Sequence, residues 1–244
     1  MHFLLGIRTM IQADEGASMK IIEDAYRRGD KALNEYESKR LLKAYGIPVT
    51  EERVALTVEE ALEAAHAIGY PVALKGSSRT LTHKTEHGLV ELGIQGDDAL
   101  EKAFAAITER GAGQLDGILV QQMVKGDREF VAGLIRDPQF GPCVMFGLGG
   151  IFTEVLKDVT FRIAPLTTRD ALEMMDEIKA RKLLDEFRGK PAVNREVLAA
   201  TLVNLGKIGL ELDQVAEIDI NPMIVHGDIP VAVDALVVLR NPAA

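Results

Sequence analysis

The stretch AEIDINPMIVHGDIPVAVDALVVL, residues 216–239, is apolar enough for buried strands, yet it carries Glu217, Asp219, Asn221 and Asp234. A carboxylate within such a pattern is costly unless something positive lies beside it. Strand periodicity puts Glu217, Asp219 and Asn221 on one face, with Ile218 and Ile220 on the other. A two-residue hairpin turn at Gly227 and Asp228 would set Asn221 directly opposite Asp234. Two carboxylates and an amide oxygen would then reach one point. Pro230 argues for a longer loop and a shifted register. The donors are hard oxygens, with no Cys or adjacent His, which suits Mg²⁺ or Mn²⁺ better than zinc. The alternative is a set of caps or salt bridges to Lys or Arg. A cation bound with a nucleotide is the partner this pattern favours.

Upstream, 75–87 (KGSSRTLTHKTEH) gathers Lys75, Arg79, His83, Lys84 and His87 against one carboxylate, Glu86. Lys75 ends an apolar strand pattern, and a basic loop in an acidic chain suits phosphate, with hydroxyls adding donors. A solvated surface loop is the competing explanation. The segment 147–158 (GLGGIFTEVLKD) would let backbone N–H groups approach an oxyanion, but it matches neither the dinucleotide fingerprint nor the P-loop. A glycine turn between strands explains it equally well. In 119–130 (LVQQMVKGDREF), Gln121, Gln122, Met123 and Val124 could offer backbone groups and an apolar wall to a flat ring, with Glu129 on the next strand. A plain hairpin is the simpler reading there.

The 244 residues suffice for one large domain or two lobes with a substantial core. Hydrophobic residues make up 47%, with no unbroken run of membrane-span length, and the first residues lack the charged start and cleavage site of a signal peptide. One cysteine, Cys143, excludes an internal disulfide and fits a reducing cytoplasm. A net charge of -9 speaks against nonspecific binding to nucleic acid or an anionic membrane. Residues 1–18 read as an N-terminal tail, with Met19 a candidate native start.

Helix and strand patterns alternate without internal repeats, indicating an α+β (mixed α/β) fold. Helices are expected at 34–45 (opened by Asn34 and Glu37), 57–69 (opened by Thr57 and Glu60), 98–110, 168–187 and 194–212. Strands are expected at 72–76 and 89–94, then in GILVQQMV, REFVAGLIRD, CVMFG and IFTEVL, and in the terminal hairpin.

Taken together, the clusters resemble an ATP-grasp domain. The resemblance is close to the β-subunit of ADP-forming acetyl-CoA (acyl-CoA) synthetases and to the matching domain of single-chain relatives. It spans about residues 21–239 and is carried by LNEYESKRLLKAYGIPV, VALKGSSRTLTHKTEHGLV, FGPCVMFGLGGIFTEVLKDVTFRIAPL and EIDINPMIV in that order. It implies two α+β lobes clasping ATP or ADP within 19–240, the smaller about 52–115 and the larger 19–51 plus 116–240. By resemblance, Lys75 contacts nucleotide phosphates, Gln121, Gln122, Met123 and Val124 form the adenine-side hinge, and Glu129 is a further nucleotide-site residue. Asn221 and Asp234 would hold Mg²⁺, and Asp219 would assist phosphoryl transfer. His83 occupies the place of the histidine that carries a phosphoryl group, with Gly76 and Gly88 as flexible points around its loop. The chain departs from the usual pattern with Thr85 and Glu86 where Ser and Asp are commoner, and with Gly88-Leu89 where two glycines are usual.

The reaction implied interconverts acyl-CoA, ADP and phosphate with a carboxylic acid, CoA and ATP, through an acyl phosphate and a phosphohistidine. A CoA-binding α-subunit is implied as partner, since the grasp fold consumes the length. Two rivals remain on sequence: a carboxylate–amine ligase, which would need no phosphohistidine, and a noncatalytic nucleotide-binding subunit.

Overall fold

A computed structural model describes residues 15–78, 88–150, 157–186 and 188–240. The chain divides into two compact units. One comprises Asn34–Tyr36 and Thr50–Val124; the other holds the described residues through Leu33, Glu37–Val49, and those from Lys125 on. The helices α1 (Glu15–Arg28) and α2 (Glu35–Ala44) come first. Ser18, Ile21 and Ile22 of α1 are buried, so the expected tail boundary at residue 18 falls inside a packed helix.

The smaller unit is built on β1 (Glu52–Ala55), α3 (Val58–Ile68), β2 (Val72–Ser77), β3 (Val90–Ile94), α4 (Asp97–Gly111) and β4 (Gly117–Gln122). Its four strands form an antiparallel sheet in the order β1-β4-β2-β3. β4 lies between β1 and β2, which is why the unit runs through Val124 rather than ending near residue 115 as expected. The start of α3 follows the sequence signal: Thr57 Oγ1 accepts from the Glu60 N–H at 3.3 Å, while the Glu60 carboxylate accepts from the Leu56 N–H at 2.7 Å. Ala61, Ala64 and Ala65 give α3 a small, fully buried face that joins Val72, Leu74, Ile118 and Val120 in one core. Gly76, expected as a flexible point, sits inside β2 with its N–H donating to the Leu89 carbonyl at 2.7 Å.

The larger unit follows with β5 (Glu129–Asp137), β6 (Gly141–Leu148), β7 (Val159–Ile163), α5 (Thr168–Glu177), α6 (Arg195–Glu211), β8 (Val215–His226), β9 (Ile229–Ala232) and β10 (Ala235–Leu239). Six strands pair in the order β10-β8-β5-β6-β7, with β9 also on β8. Leu198, Leu202, Leu205 and Ile208 of α6 pack with Phe130, Leu134, Val144 and Phe146, and the Phe130 and Phe146 rings stack at 5.6 Å. Arg136 closes the end of α6, donating to the carbonyls of Gly209 at 2.6 Å and Leu212 at 2.9 Å.

The expected strand IFTEVL lies outside the described residues. Two elements depart from expectation. β7, where the pattern predicts no strand, is a sheet edge whose Phe161 and Ile163 remain exposed, so it lacks a clear buried face. The expected helix over 168–187 stops at Glu177, where Ile178 turns extended, and a 3-10 helix spans Lys179–Leu184. The cause lies far back in the chain: buried Asp158 accepts from the N–H groups of Lys179 at 2.7 Å and Ala180 at 2.8 Å, capping a new start.

Candidate functional site

The terminal hairpin adopts the register its composition suggests. His226 pairs with Ile229 and Met223 with Ala232, so Gly227 and Asp228 form the two-residue turn despite Pro230. Among the named strands β9 pairs with β8, and its other side is bridged at Ala232 to Val49, so at Pro230 it is an edge position where proline's missing N–H is tolerated. Asn194 N–H donates to the Asp228 carbonyl at 2.7 Å, and buried Arg128 donates to the Gly227 carbonyl at 3.3 Å, tying the turn to the body of the unit. β10 continues on β8 in the same register, with Ala235 opposite Ile220 and Leu236 opposite Asp219. Between the two arms, Asn221 N–H donates to the Asp234 carbonyl at 3.2 Å and Val233 N–H to the Pro222 carbonyl at 3.0 Å. Asn221 and Asp234 therefore face each other.

Asp219 lies between Leu236 on β10 and Gly133 on β5. At Gly133 a side chain is excluded, since a Cβ would lie 2.6 Å from the Ile218 carbonyl oxygen. Burial pushes the Asp219 carboxyl above its ordinary range, and the charges of Glu217 and Asp234 push it further. Neither the Glu217 nor the Asp219 side chain has a hydrogen bond or ion pair among the described residues. The row is thus acidic and self-repelling, which is the condition a hard divalent cation relieves. Among the described residues no three His, Cys, Asp or Glu side chains form a metal-holding group. An ion at Asn221 and Asp234 would complete its shell with phosphate oxygens and water, the usual habit of Mg²⁺.

The repulsion has a measurable consequence. Because the Asp219 carboxyl is raised in the folded chain, its ionised form weakens the fold at neutral pH, and stability returns as pH falls through that raised value. Asp219→Asn is expected to raise the melting temperature of the ligand-free chain at about pH 7, with the gain vanishing below the ordinary carboxylate range near about pH 4. An unchanged or lowered melting point at neutral pH would count against the repulsion.

In the smaller unit, Lys75 sits on β2 with its Nζ 2.6 Å from Glu35 Oε1, the two side chains only 10% and 5% exposed. Sequence reading missed Glu35; its signal is a carboxylate on the stripe of α2 that also carries buried Ser38 and Leu42. Removing one partner of a buried pair strands the other's charge. Lys75→Met is expected to cost about 3–5 kcal/mol in urea unfolding, and adding Glu35→Leu should recover more than half. A loss below about 1 kcal/mol would show that the pair behaves as an exposed one.

Gln121 is buried in β4 and donates to Thr50 Oγ1 at 2.8 Å, while the Gln122 side chain accepts from the Glu51 N–H at 3.2 Å. Both therefore fasten the strand's surroundings. Met123 and Val124 lie past the strand's end, and their main-chain groups have no hydrogen-bond partner among the described residues, leaving them available to a planar ligand. Glu129 opens β5, and its carbonyl accepts from the Gly149 N–H at 2.9 Å. Gly150, at φ +69°, packs so close that a Cβ would lie 2.9 Å from the Glu129 carboxylate. The glycine turn and Glu129 thus form one local structure. Residues 151–156 of the glycine-rich segment, and 79–87 with Arg79, His83, Lys84 and His87, lie outside the described residues.

The ATP-grasp domain family matches residues 24–239, and the chain belongs to that family. It is similar to the beta subunit of acetate–CoA ligase (ADP-forming) I of Pyrococcus furiosus, with 46% identity over 225 residues, covering 90% of this chain and 97% of that one. Among solved structures it resembles Ca. Korarchaeum cryptofilum ACD1 in complex with coenzyme A, at 42% identity and a TM-score of 0.88, covering 91% of this chain and all of that one (100%). A second is the dinucleotide forming acetyl-coenzyme A synthetase 1 of the same organism in complex with coenzyme A and Mg-AMPPCP, its phosphohistidine segment pointing towards the nucleotide binding site. There the identity is 42%, the TM-score 0.83 and the coverage 91% and 100%.

Proposed function

We propose that this chain is the nucleotide-binding β-subunit of an ADP-forming acyl-CoA synthetase. The observation that carries the proposal is Asn221 facing Asp234 beside a self-repelling acidic row, in a chain similar over nearly its whole length to such a subunit. In the overall reaction, phosphate displaces CoA from the acyl thioester, giving an acyl phosphate. A histidine then takes the phosphoryl group and releases the carboxylic acid, and the phosphohistidine passes that group to ADP, forming ATP.

Within this scheme Lys75 contacts nucleotide phosphates as a point charge. The main-chain groups of Met123 and Val124 meet the adenine edge, with Gln121 and Gln122 holding the strand that leads to them. Glu129 is a further nucleotide-site residue. Asn221 and Asp234 hold Mg²⁺, which supplies neutralisation of phosphate charge when bound. Asp219 assists phosphoryl transfer from the same face, and His83 carries the phosphoryl group.

The partner is a CoA-binding α-subunit. Neither nucleic acid nor membrane is a proposed partner, and among the described residues no helix is long and apolar enough to cross a membrane. The cytoplasm is the proposed location, in keeping with a single, buried, unpaired cysteine.

The test is reconstitution. Co-purified with its partner, the chain is expected to form ATP from ADP and phosphate only when acyl-CoA is added. The rigorously purified chain alone is expected to show little or no turnover. Full turnover by the single chain would refute the partner requirement, and an inactive reconstituted pair would refute the synthetase assignment.

A further inference from the structure

We propose that Lys39 is a positioning residue for the facing pair Asn221 and Asp234, an inference that rests on reading that pair as a cation site. Lys39 lies on α2, 1% exposed and among the largest fully buried side chains of the chain. Its Nζ donates to the carbonyl of Val233 at 3.0 Å. Burying an ammonium is costly unless it is well satisfied, and an apolar side chain of similar volume often serves a core equally well or better. The neighbouring core positions on the helix are Leu41 and Leu42, each 0% exposed, so packing here has no need of a charge. Lysine adds the bond to the Val233 carbonyl, which an apolar side chain cannot make.

Val233 and Asp234 are the two residues between β9 and β10, where the returning arm passes from one strand to the next. Two backbone bonds cross this gap, from Val233 N–H to Pro222 and from Asn221 N–H to Asp234. Any side chains would permit those. The Lys39 bond is a side-chain choice, and it acts on the peptide that joins Val233 to Asp234. That peptide is planar, so holding its carbonyl also fixes the N–H and the Cα of Asp234, the atom from which its side chain departs. Lys39 thus acts on the ligand from behind, as an outer-shell partner does at a metal site. The sequence motif EYESK, part of the stretch carrying the family resemblance, acquires a role that its helix signal alone does not supply.

The test compares the full chain with Lys39→Met, which removes the charge and the donor at similar volume, and Lys39→Gln, which keeps a donor on a shorter stem. Asp234→Ala serves as the control. Calorimetry of ADP binding with and without Mg²⁺ yields the Mg²⁺ enhancement of affinity, and thermal melts report folding separately. The enhancement is expected to fall about 10-fold or more in Lys39→Met, to fall less in Lys39→Gln, and to be lost in Asp234→Ala. A folded Lys39→Met that keeps the wild-type enhancement while Asp234→Ala loses it overturns the role of Lys39 alone. If Asp234→Ala keeps it too, the cation-site reading fails and this inference falls with it. If Lys39→Met does not fold, Lys39→Gln decides by the same criterion; failure of both to fold marks Lys39 as a structural residue and overturns the proposal.

Discussion

His83→Ala, in a complex reconstituted with the CoA-binding partner, is expected to bind ADP nearly as the wild type does yet to lose acyl-CoA-dependent ATP formation by about 1000-fold or more. A loss of that size corresponds to about 4 kcal/mol of transition-state stabilisation, reasonable for removing a covalent carrier rather than an auxiliary contact. The chemistry suits imidazole. With an unperturbed pKa of about 6.5, a neutral ring nitrogen is available near neutral pH to attack phosphorus, and the phosphoramidate formed stays reactive enough to pass its group on. On the proposed role, Lys84 beside it in sequence, with Arg79 and Lys75 upstream, would offset the negative charge of the added phosphate. Rapid-quench labelling of the wild-type complex should recover acid-labile phosphate on this histidine. ATP formation at the wild-type rate by the His83→Ala complex would remove it from the mechanism.

The second large effect is expected from Asn221→Ala combined with Asp234→Ala. Both donors leave the facing pair, while the backbone bond between these residues can persist because it involves only main-chain atoms. The double variant should fold and should lose the Mg²⁺ enhancement of nucleotide affinity, a change on the order of 100-fold if two charge-assisted contacts are lost at about 1.4 kcal/mol per decade. Mg²⁺-dependent ADP or ATP affinity unchanged from the wild type would sink the metal assignment.

What could be read from sequence was local. The Asn221–Asp234 pairing follows from period two and a Gly-Asp turn, both contained in one hairpin, and Pro230 misleads only until β9 is seen to be an edge. The start of α3 likewise depends on Thr57 and Glu60, three residues apart in the same turn. What stayed hidden depends on partners distant in sequence. The break after Glu177 is set by Asp158, and no signal within 168–187 announces it. Glu35 finds Lys75 across 40 residues and Lys39 finds Val233 across 194, so on a helical wheel both look like ordinary charged positions. The raised Asp219 carboxyl needs the arrangement of three strands, which fixes how closely Glu217 and Asp234 approach it. The role of His83 belongs to a different category. It is a proposal that rests on resemblance alone, since an isolated histidine in a polar loop has no periodicity to read.

The shared register of β9 and β10 on β8 carries an evolutionary constraint. Because strand side chains alternate, one residue inserted into or deleted from the turn at Gly227 and Asp228 would slide the whole returning arm by one step. Asp234 would then point into the hydrophobic interior, and Ala235 or Val233 would take its place opposite Asn221. Surface turns ordinarily tolerate length changes better than almost any other part of a protein. Here a solvent-exposed turn is expected to be as intolerant of insertion as the proposed ligand positions are of substitution, and natural variation should alter its letters while preserving its count.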